Sequence, residues 1–170
     1  VRASATTDQF SYDVRGGYAF DFSVLGTDEI SSAILSLYGT GITDNLGGTP
    51  DIDITSFTPN AFDTWETADY DLARVGSTVY SSLAVSSFNA SNWNDFTFSA
   101  DGRTYLEGGV VKAITSRLSW DTDGTFGGTW GSGNYLNPTV YYADQTGTTN
   151  DPKLVVEHSA VVSRRIINIE

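Results

Sequence analysis

The sequence predicts an all-β fold, an antiparallel β-sandwich of jelly-roll type with about eight to ten strands and one or two short helical turns. Three observations carry the prediction. Large apolar residues recur at every second position in one run after another. Those runs are bounded by Gly, Asn, Asp and Pro clusters. No helical period lasts long enough to organise a chain of 170 residues. A chain of this length normally forms one domain and buries a continuous core without a metal or a crosslink.

The first clear strand is 18–24, where Tyr18, Phe20 and Phe22 fall on one face and small or polar residues on the other. The run 33–38 repeats the rhythm with Leu35 and Leu37. Ile52 and Ile54 alternate with Asp51, Asp53 and Thr55, which reads as a strand with a solvated acidic face. A weaker strand covers 78–85. Phe96 and Phe98 turn inward from 95–99. Ile114, Leu118 and Trp120 mark 110–120, and further strands follow at 139–143 and 153–158, the last with Leu154 and Val156 inward. Short helical turns are expected over 67–75 and over 101–107, where Gly108 and Gly109 stop the second. Residues 40–50, 121–138 and 144–152 are loops.

The domain organisation is a sandwich over 1–158 followed by a tail over 159–170. Five of the twelve tail residues are Val or Ile, a composition that a solvated tail does not need. Residues 1–157 carry a formal charge of −13 and residues 158–170 carry +1. Val161, Ile167 and Ile169 could fill apolar positions of a neighbouring subunit's sheet, while Arg164 and Arg165 meet its acidic body. Pairing within the chain's own sandwich is the other outcome. Residues 1–12 are a second candidate for exchange between copies.

Charge narrows the partners. The chain has nine Lys and Arg against 21 Asp and Glu, for a net charge of −12. A nucleic-acid binder needs cations to neutralise phosphates, so that class is excluded, and an anionic membrane surface is disfavoured for the same reason. No apolar run is long enough to span a membrane. There is no Cys, hence no disulfide and no thiolate metal site. No leader pattern opens the chain at Val1, as expected either of a processed product or of an excised segment.

Several motifs resemble the DNRLRE (disaggregatase-related) domain, a carbohydrate-binding-module-like sandwich of bacterial surface and phage proteins. They are the aromatic strand 18–24, the stretch Ser32-Ala33-Ile34-Leu35-Ser36-Leu37-Tyr38, and Asp151-Pro152-Lys153-Leu154-Val155-Val156-Glu157-His158. The likeness spans about residues 10–158. It implies a sandwich at the cell surface or on a virion, and a polysaccharide as one partner. No ligand residue of that family maps onto this chain position by position.

Chemistry-bearing residues are few. His158 is the single histidine and lies in a strand, which gives a Ser–His–Asp arrangement little to build on. The carboxylate pairs Asp51/Asp53 and Asp121/Asp123 read as solvated positions, not as two acids facing across a groove. Asp121-Thr122-Asp123-Gly124 opens like an oxygen-ligand loop, so Asp121 and Asp123 are candidate ligands for a structural calcium ion. The loop aromatics Trp65, Trp93, Trp130 and Tyr135 are candidates for stacking on sugar rings. The expected function is therefore non-catalytic. The chain is read as a structural or adhesive subunit of an extracellular filament, surface layer or fibre that associates with identical copies. The alternative is a carbohydrate-binding module acting through its loop aromatics.

Overall fold

The computed structural model describes residues 1–7, 9–143 and 146–160. Among these, ten strands form two facing antiparallel sheets and a small ribbon. The first sheet has the order β3 (Gly16–Asp21), β8 (Val111–Leu118), β5 (Asp51–Phe57), β6 (Val75–Ala84). The second runs β10 (Lys153–Ser159), β4 (Glu29–Asp44), β7 (Trp93–Thr97), and β9 (Leu136–Val140) pairs with the far half of β4. β1 (Arg2–Ala3) and β2 (Phe10–Tyr12) make the ribbon. The all-β antiparallel sandwich expected from the two-residue rhythm is what the chain forms.

The core lies where the rhythm puts it. Tyr18, Phe22, Leu35, Leu37, Ile52, Ile54, Phe96, Phe98 and Ile114 are buried, and Phe20, Leu154 and Val156 are half-buried against them. Leu46, Leu106 and Leu136 are fully buried too. They sit in loops, in a helix or at a strand start, so no alternation announced them.

Boundaries moved where local hydrogen bonds compete with the ladder. β3 stops at Asp21 because its Oδ1 accepts the Ser23 N–H at 2.8 Å and starts a single 3-10 turn, leaving Val24 88% exposed. β8 stops at Leu118, and Trp120 reaches the core from the short helix α2 (Ser119–Asp123) instead. The helical stretch expected at 67–75 is two 3-10 turns, Thr67–Tyr70 and Leu72–Arg74, and Val75 already belongs to β6. Helix α1 (Ala100–Leu106) is capped by Ser99, whose Oγ accepts the Gly102 N–H, and Gly108 follows it at φ 104°, open to glycine alone.

The outer face of the first sheet is not the solvated surface that Asp51, Asp53 and Thr55 suggested. Asp53 and Thr55 are buried. The Arg117 side chain starts on β8, passes over β5 and donates from Nη2 to the Gly76 carbonyl on β6 at 2.6 Å. Ser82 Oγ donates to Asp53 Oδ1 at 2.7 Å, so the carboxylate is satisfied under that cover. Trp65 lies on the same face, and a Cβ at Gly17 would come within 2.1 Å of its ring, so only glycine allows the approach. Asp69 fastens the covering segment. It accepts the N–H groups of Glu66 and Asn60, which hold its carboxyl below the usual carboxylate range.

The N-terminal segment pairs within its own chain. Ala3 N–H donates to the Asn134 carbonyl, Leu136 N–H to that of Val1, and Arg2 bridges Tyr135. A fork of charge then locks residues 13–15 down. Arg15 donates from Nε and Nη2 to both oxygens of Asp121, at 2.6 and 2.7 Å, and from Nη2 to Asp13 at 3.2 Å. Its guanidinium lies 4.6 Å over the centre of the Tyr70 ring, and Tyr70 Oη donates to the Asp13 carbonyl. Burial pushes the Tyr70 phenol up to about 12, aided by the charge of Asp13. Burial also raises the Asp13 carboxyl, and the neighbouring Asp121 charge raises it further. For Asp121, burial is outweighed by the hydrogen bond and charge of Arg15, so its carboxyl sits low.

Two outcomes follow from this packing. Phe96→Ala removes a fully buried ring and should cost about 3–5 kcal/mol in chemical denaturation; a loss under 1 kcal/mol would mean that the sheets do not meet there. Asp121→Asn strips Arg15 and Arg117 of their carboxylate and should cost about 3 kcal/mol at pH 7. The low carboxyl of Asp121 stabilises the fold above its ordinary value of 3.8 and loses that effect as pH falls through the folded value, so variant and wild type should converge in acid. Asp13 has the opposite sign: charging it as pH rises works against the fold, so Asp13→Asn should be no less stable than wild type at pH 7. An Asp121→Asn protein as stable as wild type at neutral pH contradicts the lock.

Candidate functional site

A groove of about 370 Å³ opens beside the ribbon, lined by Val1, Arg2, Tyr12, Val14, Tyr135 and Asn137. Its geometry follows from strand pairing. Arg2 is opposed by Tyr12 on one side and by Tyr135 on the other. Directly opposed residues of antiparallel strands project from the same face. The result is a row of three side chains, ring–guanidinium–ring, across three adjacent segments. Tyr12 is 63% exposed and Tyr135 38%. Two strand spacings separate the rings, roughly 10 Å.

The polar groups of this groove are unspent. Among the described residues, the Arg2 guanidinium, the Asn137 amide and the hydroxyls of Tyr12 and Tyr135 make no hydrogen bond or ion pair within the protein. Together they offer the five N–H donors of Arg2, the amide of Asn137 and two phenols. None of the lining residues is acidic. The backing is firm, because Val1, Ala3, Gly133, Asn134 and Leu136 exchange backbone hydrogen bonds behind the row.

Of the four aromatic candidates from the sequence, Tyr135 alone lines this groove. Trp130 is half-buried in a knot of rings, 5.8 Å from Phe126 and 5.5 Å from Phe10, and Phe126 in turn meets Trp120 at 4.8 Å. These contacts anchor the glycine-rich loop to the body. Trp65 keeps 45% exposure but spends one face on Gly17 and packs edge-on to Phe57. Trp93 lies in the second sheet against Tyr38, with Lys153 Nζ 3.8 Å over its ring. The four do not form one site. Arg2, Tyr12 and Asn137 were missed; the signal available was the alternation of Phe10 and Tyr12, too short to read as a strand.

The remaining candidates are placed as follows. Asp121 gives both oxygens to Arg15, and Asp123 is the exposed last residue of α2, followed by Gly124 in the left-handed conformation. No group of three or more His, Cys, Asp or Glu among the described residues is arranged to hold a metal. A second hollow of about 610 Å³, lined by residues including Phe10, Asp13, Trp120 and Asp121, contains the two carboxylates already held by Arg15. His158 Nδ1 lies 2.8 Å from Asp28 Oδ2, and among the described residues no hydroxyl joins the pair. Val161, Arg164, Arg165, Ile167 and Ile169 lie outside the described residues.

No helix among the described residues is long and apolar enough to cross a membrane. No protein-family model matches the chain, and no curated protein matches it, so the likeness drawn from the strand motifs rests on those residues alone.

Proposed function

We propose that this chain is a non-catalytic adhesive domain of an extracellular surface or fibre assembly, and that it grips a polysaccharide in the groove between Tyr12 and Tyr135. One observation carries the reading: two exposed tyrosine rings flank an unpaired arginine across three paired segments. Sugar rings have apolar faces that stack on aromatic rings and a rim of hydroxyls that need donors and acceptors. The row supplies both at fixed positions, so little side-chain ordering opposes binding. The ring spacing suits consecutive sugar units better than a single one. The groove also lacks the facing carboxyl pair that cleaving a glycosidic bond requires.

A second reading concerns assembly. Among the described residues β10 pairs with β4 alone, which leaves it at the edge of its sheet with Val155 exposed. An edge strand presents backbone groups that another copy can pair with. Light scattering should show oligomers of the full chain and their loss when it ends at Ser159; unchanged assembly of the shortened chain contradicts strand addition through the tail.

For the binding reading, calorimetric titration against a panel of soluble polysaccharides should give at least one ligand. Tyr12→Ala and Tyr135→Ala should each lower its affinity about tenfold, the loss of roughly 1.4 kcal/mol of ring contact. Trp93→Ala should leave it unchanged. A panel without binding, or binding that survives the double tyrosine variant, defeats the proposal.

A further inference from the structure

The cations of this acidic chain are almost all spoken for. Arg15 and Arg117 bond Asp121, Arg74 pairs with Asp69, and Arg103 donates to the Phe98 carbonyl. Lys112 lies over the Tyr105 ring and Lys153 over that of Trp93. Arg164 and Arg165 are outside the described residues. Arg2 is the one described cation with no carboxylate, carbonyl or ring partner within the protein.

Its surroundings sharpen the point. None of the six residues that line the groove is acidic, so no carboxylate of the lining competes for Arg2. Asp13 is next to Tyr12 in the chain, yet its carboxylate accepts a hydrogen bond from Arg15. A guanidinium between two rings presents a planar fork of N–H donors, which matches the two oxygens of a carboxylate. Rings on either side reduce the water around that contact and strengthen it.

Resting on the polysaccharide reading above, we infer that the groove selects a sugar chain carrying a carboxylate, one uronate unit seated on Arg2 with neighbouring neutral units stacked on Tyr12 and Tyr135. The same charges set the density of acid that the ligand can carry. One cation matches one carboxylate. The chain as a whole has a net charge of −12 and repels further anions within a Debye length of its surface, about 8 Å at physiological salt. A polymer in which uronates alternate with neutral sugars therefore fits, and an unbroken polyuronate does not.

The experiment titrates the full chain with three probes: an alternating glucuronate–N-acetylglucosamine polymer, the same polymer with its carboxyl groups reduced to primary alcohols, and a polyglucuronate. The alternating polymer should bind at least tenfold tighter than its reduced form and tighter than polyglucuronate at low salt. Arg2→Gln should abolish the preference for the acidic form, so that the acidic and reduced polymers bind equally weakly, and Arg2→Lys should restore part of the preference. Unchanged melting temperatures would show both variants folded, as expected at an exposed position. Equal binding of the acidic and reduced polymers overturns the uronate inference and leaves the polysaccharide reading standing. An acidic preference that survives Arg2→Gln likewise overturns it. Failure of all three probes overturns it too, and the wider panel then decides the polysaccharide reading separately.

Discussion

The fork between Arg15 and Asp121 is the joint on which the rest of the site depends. It ties residues 13–15 to α2, and through the Tyr70 ring and carbonyl it also ties them to the segment that covers the first sheet. Three residues before Arg15 stands Tyr12. The ribbon is too short to be stable by itself, since two strands of two and three residues bury almost nothing. Its position comes from the ion lock on one side and from the backbone bonds of Ala3 and Leu136 on the other.

The division of aromatic residues follows from the same economy of contacts. Rings in the glycine-rich loop are used to hold that loop, because glycine brings no side chain of its own to pack. Phe126 and Trp130 close on Phe10 and Trp120. Rings placed by strand pairing, by contrast, need not anchor anything, and Tyr12 and Tyr135 remain exposed beside an unpaired arginine.

The strands legible in the sequence are those buried on one face. Tyr18, Phe22, Leu35, Leu37, Phe96 and Phe98 are legible because they turn to the core at every second position, with Ala19, Asp21, Asp95 and Thr97 exposed between or beside them. The alternation misled at Asp53 and Thr55, whose acidic and hydroxyl side chains imply solvent. A long Arg117 side chain and a distant covering segment bury them, and neither is visible to a local period. The groove was less legible still. Its row joins residues 2, 12 and 135, brought together by antiparallel pairing across more than a hundred positions. Tyr135 was open to selection as a loop aromatic, whereas Arg2 carried no local pattern to mark it.

The account's central claim is that ligand meets the ring–arginine–ring row and not the tryptophans. Nuclear magnetic resonance tests this most directly, by following amide and indole signals while a uronate-containing oligosaccharide is added. The account predicts shifts centred on Arg2, Tyr12, Tyr135 and Asn137, with the indole signals of Trp65 and Trp93 unmoved. Shifts centred on those indoles, with the four groove residues silent, would contradict it.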